Sequence, residues 1–219
     1  MGSSPAVRTN MPEDNPLLEA ESLHLWRGER HVLRDLAFTL EGGQCLVVTG
    51  PNGAGKSSLL RGLAGLLPLE SGIVRWRGAD AQLDPFGYHA ELAWLGHSTG
   101  LKADLTAREN LLYTVGLRRN LAPGEIEEAL AAVGHASSDQ SLARQMSAGQ
   151  QRRVALARVL LLPATLWLLD EPTSNLDERG QAMFGQMLLA HLERGGVAVV
   201  ATHQVVQLPT GRLKGLELS

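Results

Sequence analysis

A glycine-rich stretch set between an apolar run and a helical pattern constrains this chain more than any other feature. Gly50-Pro51-Asn52-Gly53-Ala54-Gly55-Lys56-Ser57, followed by Ser58, fits G-x-x-x-x-G-K-[ST]. Ahead of it, Cys45 to Thr49 is a short continuous apolar run of the kind that forms a strand buried on both faces. Behind it, Ser58 to Leu67 carries apolar residues at helical spacing and closes at Pro68. A strand that feeds such a loop into a helix makes a phosphate cradle. Glycines let successive backbone N–H groups face one point, and the helix start adds its positive end. Lys56 is then expected to place a cation on the β- and γ-phosphates of a nucleotide, with Ser57 offering its hydroxyl to Mg²⁺. The chain is therefore expected to be an α/β protein.

Two further constellations specify the chemistry. Leu166-Trp167-Leu168-Leu169-Asp170-Glu171 is an apolar strand that ends in two carboxylates, which must be partnered or solvated. Beside a phosphate cradle, Asp170 is expected to hold Mg²⁺ through water and Glu171 to polarise the attacking water. Met146-Ser147-Ala148-Gly149-Gln150-Gln151-Arg152-Arg153 stands shortly before that strand and opens a helical pattern. Ser147 as a helix cap, with the N–H groups of Ala148 and Gly149, forms a second anion site.

This last segment resembles the L-S-G-G-Q signature of ATP-binding-cassette (ABC) ATPases, and its spacing to Asp170 fits that family. Ser174-Asn175-Leu176-Asp177 is similar to the family's D-loop, and Thr202-His203 falls where its switch histidine contacts the γ-phosphate. The resemblance runs from about residue 20 to 207. It implies a P-loop NTPase core with an antiparallel β subdomain and an inserted α-helical subdomain. It also implies a homodimer in which Ser147, Ala148, Gly149 and Gln150 of one copy close over ATP held by the other. ATP and Mg²⁺ are the expected cofactors, and Glu171 and His203 the expected catalytic residues.

The remaining pattern agrees with that layout. Leu23 to Leu25 and Leu33 to Leu40 alternate at the strand period, with turns at Gly28 and Gly42-Gly43. Further strands are expected at Gly72 to Trp76, Leu92 to Leu95, Thr165 to Leu169 and Val197 to Ala201, and a helix near Gln181 to Leu192. Between about 98 and 162 the period is helical, over Thr106 to Leu117, Pro123 to Val133 and Ala148 to Leu162. Thr106 with Glu109 has the form of a capping box. One domain is expected over residues 18–219, with core and β subdomain at about 18–97 and 163–219 and the helical subdomain at about 98–162. Residues 1–17 are polar and proline-rich, without a leader's apolar stretch, and are expected to be a disordered tail within which Met11 is an alternative start.

Composition excludes little but weighs on partners. The formal net charge is −3 and no basic tract is present, so a nucleic-acid partner is not expected. The single cysteine, Cys45, lies in a strand pattern and reads as core. The longest apolar segment, Val159 to Leu169, is broken by Pro163 and is about half a bilayer span. Membrane association is thus expected through a partner, at the cytoplasmic face.

Departures from the general family pattern narrow the resemblance further. The usual Q-loop glutamine position holds His97, whose imidazole can also donate and accept but can gain a proton near neutrality. The adenine-stacking position falls on Arg27, with Trp26 beside it, and Ala148 stands where glycine is usual. With Leu105-Thr106-Ala107-Arg108-Glu109-Asn110, these residues resemble the ATP-binding subunits of the bacterial cytochrome c maturation (haem exporter) complex. That resemblance implies integral membrane partners, a peripheral place on the inner membrane, and coupling of ATP hydrolysis to haem export or to release of a haem-loaded periplasmic chaperone. The residues alone leave open a short exporter subunit for a lipid, peptide or drug, and a non-transport cassette acting on DNA or ribosomes. A scaffold without hydrolysis is disfavoured by Glu171.

Overall fold

The computed structural model describes residues 16–219, except 137, 205–207 and 210. The strands are β1 (Leu18–Arg27), β2 (Arg30–Leu40), β3 (Cys45–Thr49), β4 (Ser71–Trp76), β5 (Ala79–Asp80), β6 (Leu92–Leu95), β7 (Leu166–Asp170), β8 (Val197–Ala201) and β9 (Leu213–Glu217). The helices are α1 (Lys56–Leu63), α2 (Pro85–Ala90), α3 (Ala107–Gly116), α4 (Glu125–Ala132), α5 (Ala148–Leu161) and α6 (Glu178–Glu193). One sheet is antiparallel, in the order β2-β1-β4-β5; the other is parallel, in the order β6-β7-β8-β3-β9.

The parallel sheet is covered on both faces, which is why β3, β6, β7 and β8 read as short apolar runs. Alternate residues point to opposite sides. Leu46, Val48, Leu166, Leu168, Val197 and Val199 pack with α1 residues Leu59, Leu60 and Leu63 and with the antiparallel sheet. Cys45, Leu95, Trp167, Leu169, Ala198 and Val200 pack on the other side with α5, α6 and the helices between β6 and β7. Each fully buried branched side chain contributes about 1.5–3 kcal/mol relative to exposure. Burial pushes the Cys45 thiol up to about 12, which makes it a core group and not a nucleophile.

This topology sets the site. Register pairs Val48 with Ala201, Ala201 with Asp170 and Leu169 with Leu95. The loops after β3, β6, β7 and β8 therefore leave the sheet at one edge, the carboxyl ends of parallel strands, where open α/β sheets hold ligands.

Several elements differ from the sequence reading. β1 extends well beyond Leu23–Leu25, because its register shifts interrupt the period of two between Ala20 and Leu23, next to Ser22 at φ 45°. α6 starts at Glu178, before Gln181, because the Asp177 side chain accepts the Gly180 N–H at 2.9 Å and caps it there. The helix Pro85–Ala90 and the strand Leu213–Glu217 carry no pattern of their own in the sequence. The first is six residues, too short for a period, and the second is an edge strand holding Lys214, Gly215 and Glu217 in place of an apolar run. Of the expected tail, residues 1–15 lie outside the described residues, while Leu17 already donates its N–H to Leu40 O at 2.7 Å. Among the described residues no helix is long and apolar enough to cross a membrane.

Candidate functional site

The loop between β3 and α1 turns into its helix at Gly55, with φ 111°. Only glycine holds that conformation without strain, and a Cβ there would meet Val32 Cγ1 at 2.3 Å. Lys56, 8% exposed, donates its Nζ to Gly50 O at 2.7 Å and to Pro51 O at 3.1 Å. Two carbonyls of its own loop thus hold the ammonium over the cradle. Ala54 is buried beneath the loop.

β7 delivers Asp170 and Glu171 beside this cradle. Asp170 is 2% exposed, and its Oδ2 has no hydrogen-bond partner. A buried carboxylate oxygen left free is costly unless a cation or donor meets it. Magnesium sites use one or two carboxylates and leave the rest to water and phosphate. Asp170, with the Ser57 hydroxyl in the same cavity, fits that requirement.

Glu171 occupies the left-handed region at φ 51°, a strain of order 1–3 kcal/mol for a non-glycine residue. Its N–H donates to Ala201 O at 2.8 Å, and its carbonyl accepts from Arg152 Nη2 at 2.8 Å. The carboxylate Oε1 lies 3.6 Å from His203 Nε2, within ion-pair reach but long for a hydrogen bond. The pinned backbone aims the carboxylate across the mouth of the site towards His203.

One cavity of about 540 Å³ gathers these groups. Its walls include Asn52, Gly53, Gly55, Lys56, Ser57 and Ser58 from the loop and α1, Asp170 and Glu171 from β7, and Arg27, His97 and His203. Gly50, Pro51 and Ala54 are absent from the lining, the first two acting through Lys56. Arg30, Val32 and Ser174 also line the cavity. No sequence motif marks Arg30 or Val32; their only signal is that Arg30 pairs with Arg27 across the β1–β2 turn. His97 is exposed and also borders a second cavity of about 460 Å³ with Arg61, Trp94 and Arg158.

Ser147, Ala148, Gly149 and Gln150 do not line the nucleotide-sized cavity. They form the start of α5, where Ser147 Oγ accepts the Gln150 N–H at 3.2 Å and Gln150 Oε1 accepts the Ser147 N–H at 2.8 Å. This reciprocal cap leaves the positive helix end facing outward. A Cβ on Gly149 would come within 2.7 Å of Asn175 O, whereas Ala148 is exposed. That difference explains why alanine is accommodated at the first of these two positions and glycine kept at the second. Asp177 caps α6 and pairs with Arg153 Nη2 at 2.8 Å, away from the cradle. This exposed pair contributes about 0–1 kcal/mol.

Comparison with known proteins agrees with the geometry. A family model described as ABC transporter matches residues 33–174. A cytochrome c biogenesis ATP-binding export protein CcmA from Methylococcus capsulatus is 46% identical over 207 residues, covering 94% of this chain and 99% of the relative. One of the same description from Dechloromonas aromatica is 43% identical over 203 residues, covering 92% and 100%. Among solved structures, an ATP-binding subunit of an ABC transporter matches with TM-score 0.76 and 25% identity, over 85% of this chain and 79% of that one. A dimeric ATP-binding cassette in a post-hydrolysis state with ADP and phosphate matches with TM-score 0.78 and 23% identity, over 92% and 96%. Phosphate cradle, paired carboxylates and capped signature helix thus sit in one chain whose relatives match it almost end to end, and the chain belongs to the ABC transporter ATPases, in the family of cytochrome c biogenesis ATP-binding export proteins.

Proposed function

We propose that two copies of this chain close head to tail around two ATP molecules and drive the haem-handling step of cytochrome c biogenesis beneath membrane-embedded partners. The observation that carries the shared-site reading is the separation just described. The cavity holds Lys56, Asp170 and Glu171, but the outward cap at Ser147 lies elsewhere on the same chain. A second copy can bring Ser147 to the open side of the first copy's cavity, and a dimeric cassette of the same fold supports that arrangement.

Within each site the roles follow from position. The loop N–H groups and Lys56 hold the phosphates, and Arg27 with Arg30 and Val32 walls the end of the cavity expected to take the base. Glu171 orients and polarises the attacking water, with His203 facing the same space. Asp170 and Ser57 would hold Mg²⁺, which supplies neutralisation of phosphate charge when bound. Catalysis then rests on positioning and charge complementarity. Dimer closure and reopening is the mechanical output.

Two features favour a partner of the membrane-embedded kind. An apolar cavity of about 520 Å³ lies beside exposed Leu66 and Phe86, with Leu92, Trp94 and Arg118 in its walls. It shares Leu66 and Trp94 with the cavity that reaches His97, so a subunit seated there would touch a loop of the ATP site. The export named for the relatives, at 46% identity, supports cytochrome c biogenesis as the process served.

The haem assignment predicts a cellular outcome. With Lys56→Ala in place of the wild-type copy, holo-c-type cytochromes should disappear while b-type cytochromes persist, since covalent haem attachment alone depends on the pathway. Haem staining and difference spectra read this directly. Normal c-type levels in a host lacking a second maturation system would exclude the assignment and favour export of another substrate.

Shared sites predict complementation. Lys56→Ala and Ser147→Arg subunits, each inactive alone, should regain hydrolysis when mixed, because a mixed dimer keeps one site made of two intact halves. If that mixture stays silent while mixed wild-type and Lys56→Ala dimers retain activity, each chain holds a complete site by itself.

A further inference from the structure

Arg152 is buried to 1% exposure in the first half of α5, and it does not line the nucleotide cavity. Its guanidinium is spent on two loops distant in sequence, those that follow β6 and β7. Nη1 donates to Gly96 O at 3.1 Å, behind β6; Nη2 donates to Glu171 O at 2.8 Å, at the end of β7; Nη2 and Nε donate to Ser174 Oγ at 2.8 and 3.2 Å. Longer contacts of 3.4 Å reach His97 O and Asp170 O. Among the described residues no carboxylate lies within ion-pair distance of it, so carbonyls and a hydroxyl satisfy the buried charge. Burial draws its pKa below the usual arginine value, and the nearby charges of Asp170 and Glu171 oppose that.

A buried cation of this kind is weak evidence of stabilisation, because taking it out of water offsets much of what its hydrogen bonds return. What a rigid fork of five donors supplies is geometry. Glu171 sits at φ 51° with its N–H held by Ala201 O, and Arg152 holds the opposite side of the same residue through its carbonyl. Ser174 N–H shares that carbonyl at 3.1 Å, and Arg152 fixes Ser174 in turn.

We propose that Arg152 is a positioning residue for hydrolysis, which fixes the backbone of Glu171 and the Gly96–His97 loop from α5 and thereby ties the aim of the carboxylate to the placement of that helix. The proposal rests on the reading of Glu171 as the group that polarises water. Its consequence is a link between sites. The first turn of α5 carries Ser147 and Gly149 towards a partner's nucleotide, and Arg152 one turn later reaches this subunit's own Glu171. Capture of nucleotide by the signature turn then bears on the geometry of the second site.

The test is a double-mutant cycle in the full chain, with Arg152→Lys and Arg152→Met made alone and together with Glu171→Gln. Steady-state rates give kcat and KM, and single-turnover assays give the residual rates. Arg152→Met should lower kcat by about 30-fold and Arg152→Lys by about 5-fold, with KM for ATP changed less than about 3-fold, as expected for an interaction that acts on turnover. In the Glu171→Gln background neither change should lower the residual rate by more than about 2-fold, because residues that act as a unit are non-additive. Equal fold losses in both backgrounds, or a KM that rises in step with the fall in kcat, overturn the proposal. Wild-type turnover in Glu171→Gln alone overturns the underlying reading of Glu171 instead. Arg152→Lys keeps the buried charge and most of the volume, so the cycle is read on it if the methionine variant does not fold.

Discussion

Glu171→Gln is expected to lower kcat by about 10²–10⁴-fold, the range for loss of a positioned general base, while ATP affinity stays within about 3-fold of wild type. Glutamine keeps the size of the side chain and leaves its backbone where Ala201 and Arg152 hold it. It removes only the negative charge that we propose polarises water. The phosphates remain gripped by Lys56 and the loop, which do not touch the Glu171 carboxylate. With closure intact and hydrolysis stalled, the MgATP-bound dimer should accumulate and elute at twice the monomer mass. Wild-type turnover removes Glu171 from the chemistry. A monomer at saturating MgATP leaves that role standing and sinks the shared-site reading.

The parallel core and its site were legible because the information is local. Cys45–Thr49 and Val197–Ala201 announce themselves as strands within five residues each, and the glycine-rich loop, the carboxylate pair and His203 follow closely on strand ends. Once such strands are parallel neighbours, the segments that follow them must converge. The cap at Ser147 is local as well, since Ser147 and Gln150, three residues apart, exchange both bonds of the reciprocal pair.

What escaped the sequence depends on contacts between distant segments. Arg152 read as one more basic residue after the signature, and its only warning was a helical spacing from buried Ala155, Leu156 and Val159. Its burial requires acceptors on loops near residues 96, 171 and 174, which no window around 152 contains. Arg30 and Val32 reach the cavity only through the register of β1 against β2. β9 is a strand because Leu213 to Glu217 pair with Cys45 to Thr49, not because their own pattern demands it. Its alternating exposure matches an edge position.

Lys56→Ala should fail in the opposite way from Glu171→Gln, through binding and not through turnover of what is bound. Lys56 is the first residue of α1, where alanine is an excellent helix former, so the helix itself is not threatened. Removing the ammonium frees Gly50 O and Pro51 O, but Pro51 is exposed and Gly50 half-buried, so water can take over both. The melting temperature should therefore move by no more than a few degrees, as for about 1 kcal/mol in a domain of this size. Nucleotide loses far more. A hydrogen bond to a charged group contributes about 1.5–3 kcal/mol, and an ammonium shared between two phosphates forfeits about two of them. At about 1.4 kcal/mol per decade, ATP affinity should fall by about 10²–10⁴-fold. Equilibrium binding of ATP by calorimetry, with and without Mg²⁺, gives the number, and ADP should lose less because it lacks the γ-phosphate. An affinity unchanged for both nucleotides would place the phosphates outside the cradle at Gly50–Ser57. A loss equal for ATP and ADP would confine Lys56 to the β-phosphate and leave the γ-phosphate to groups across the cavity.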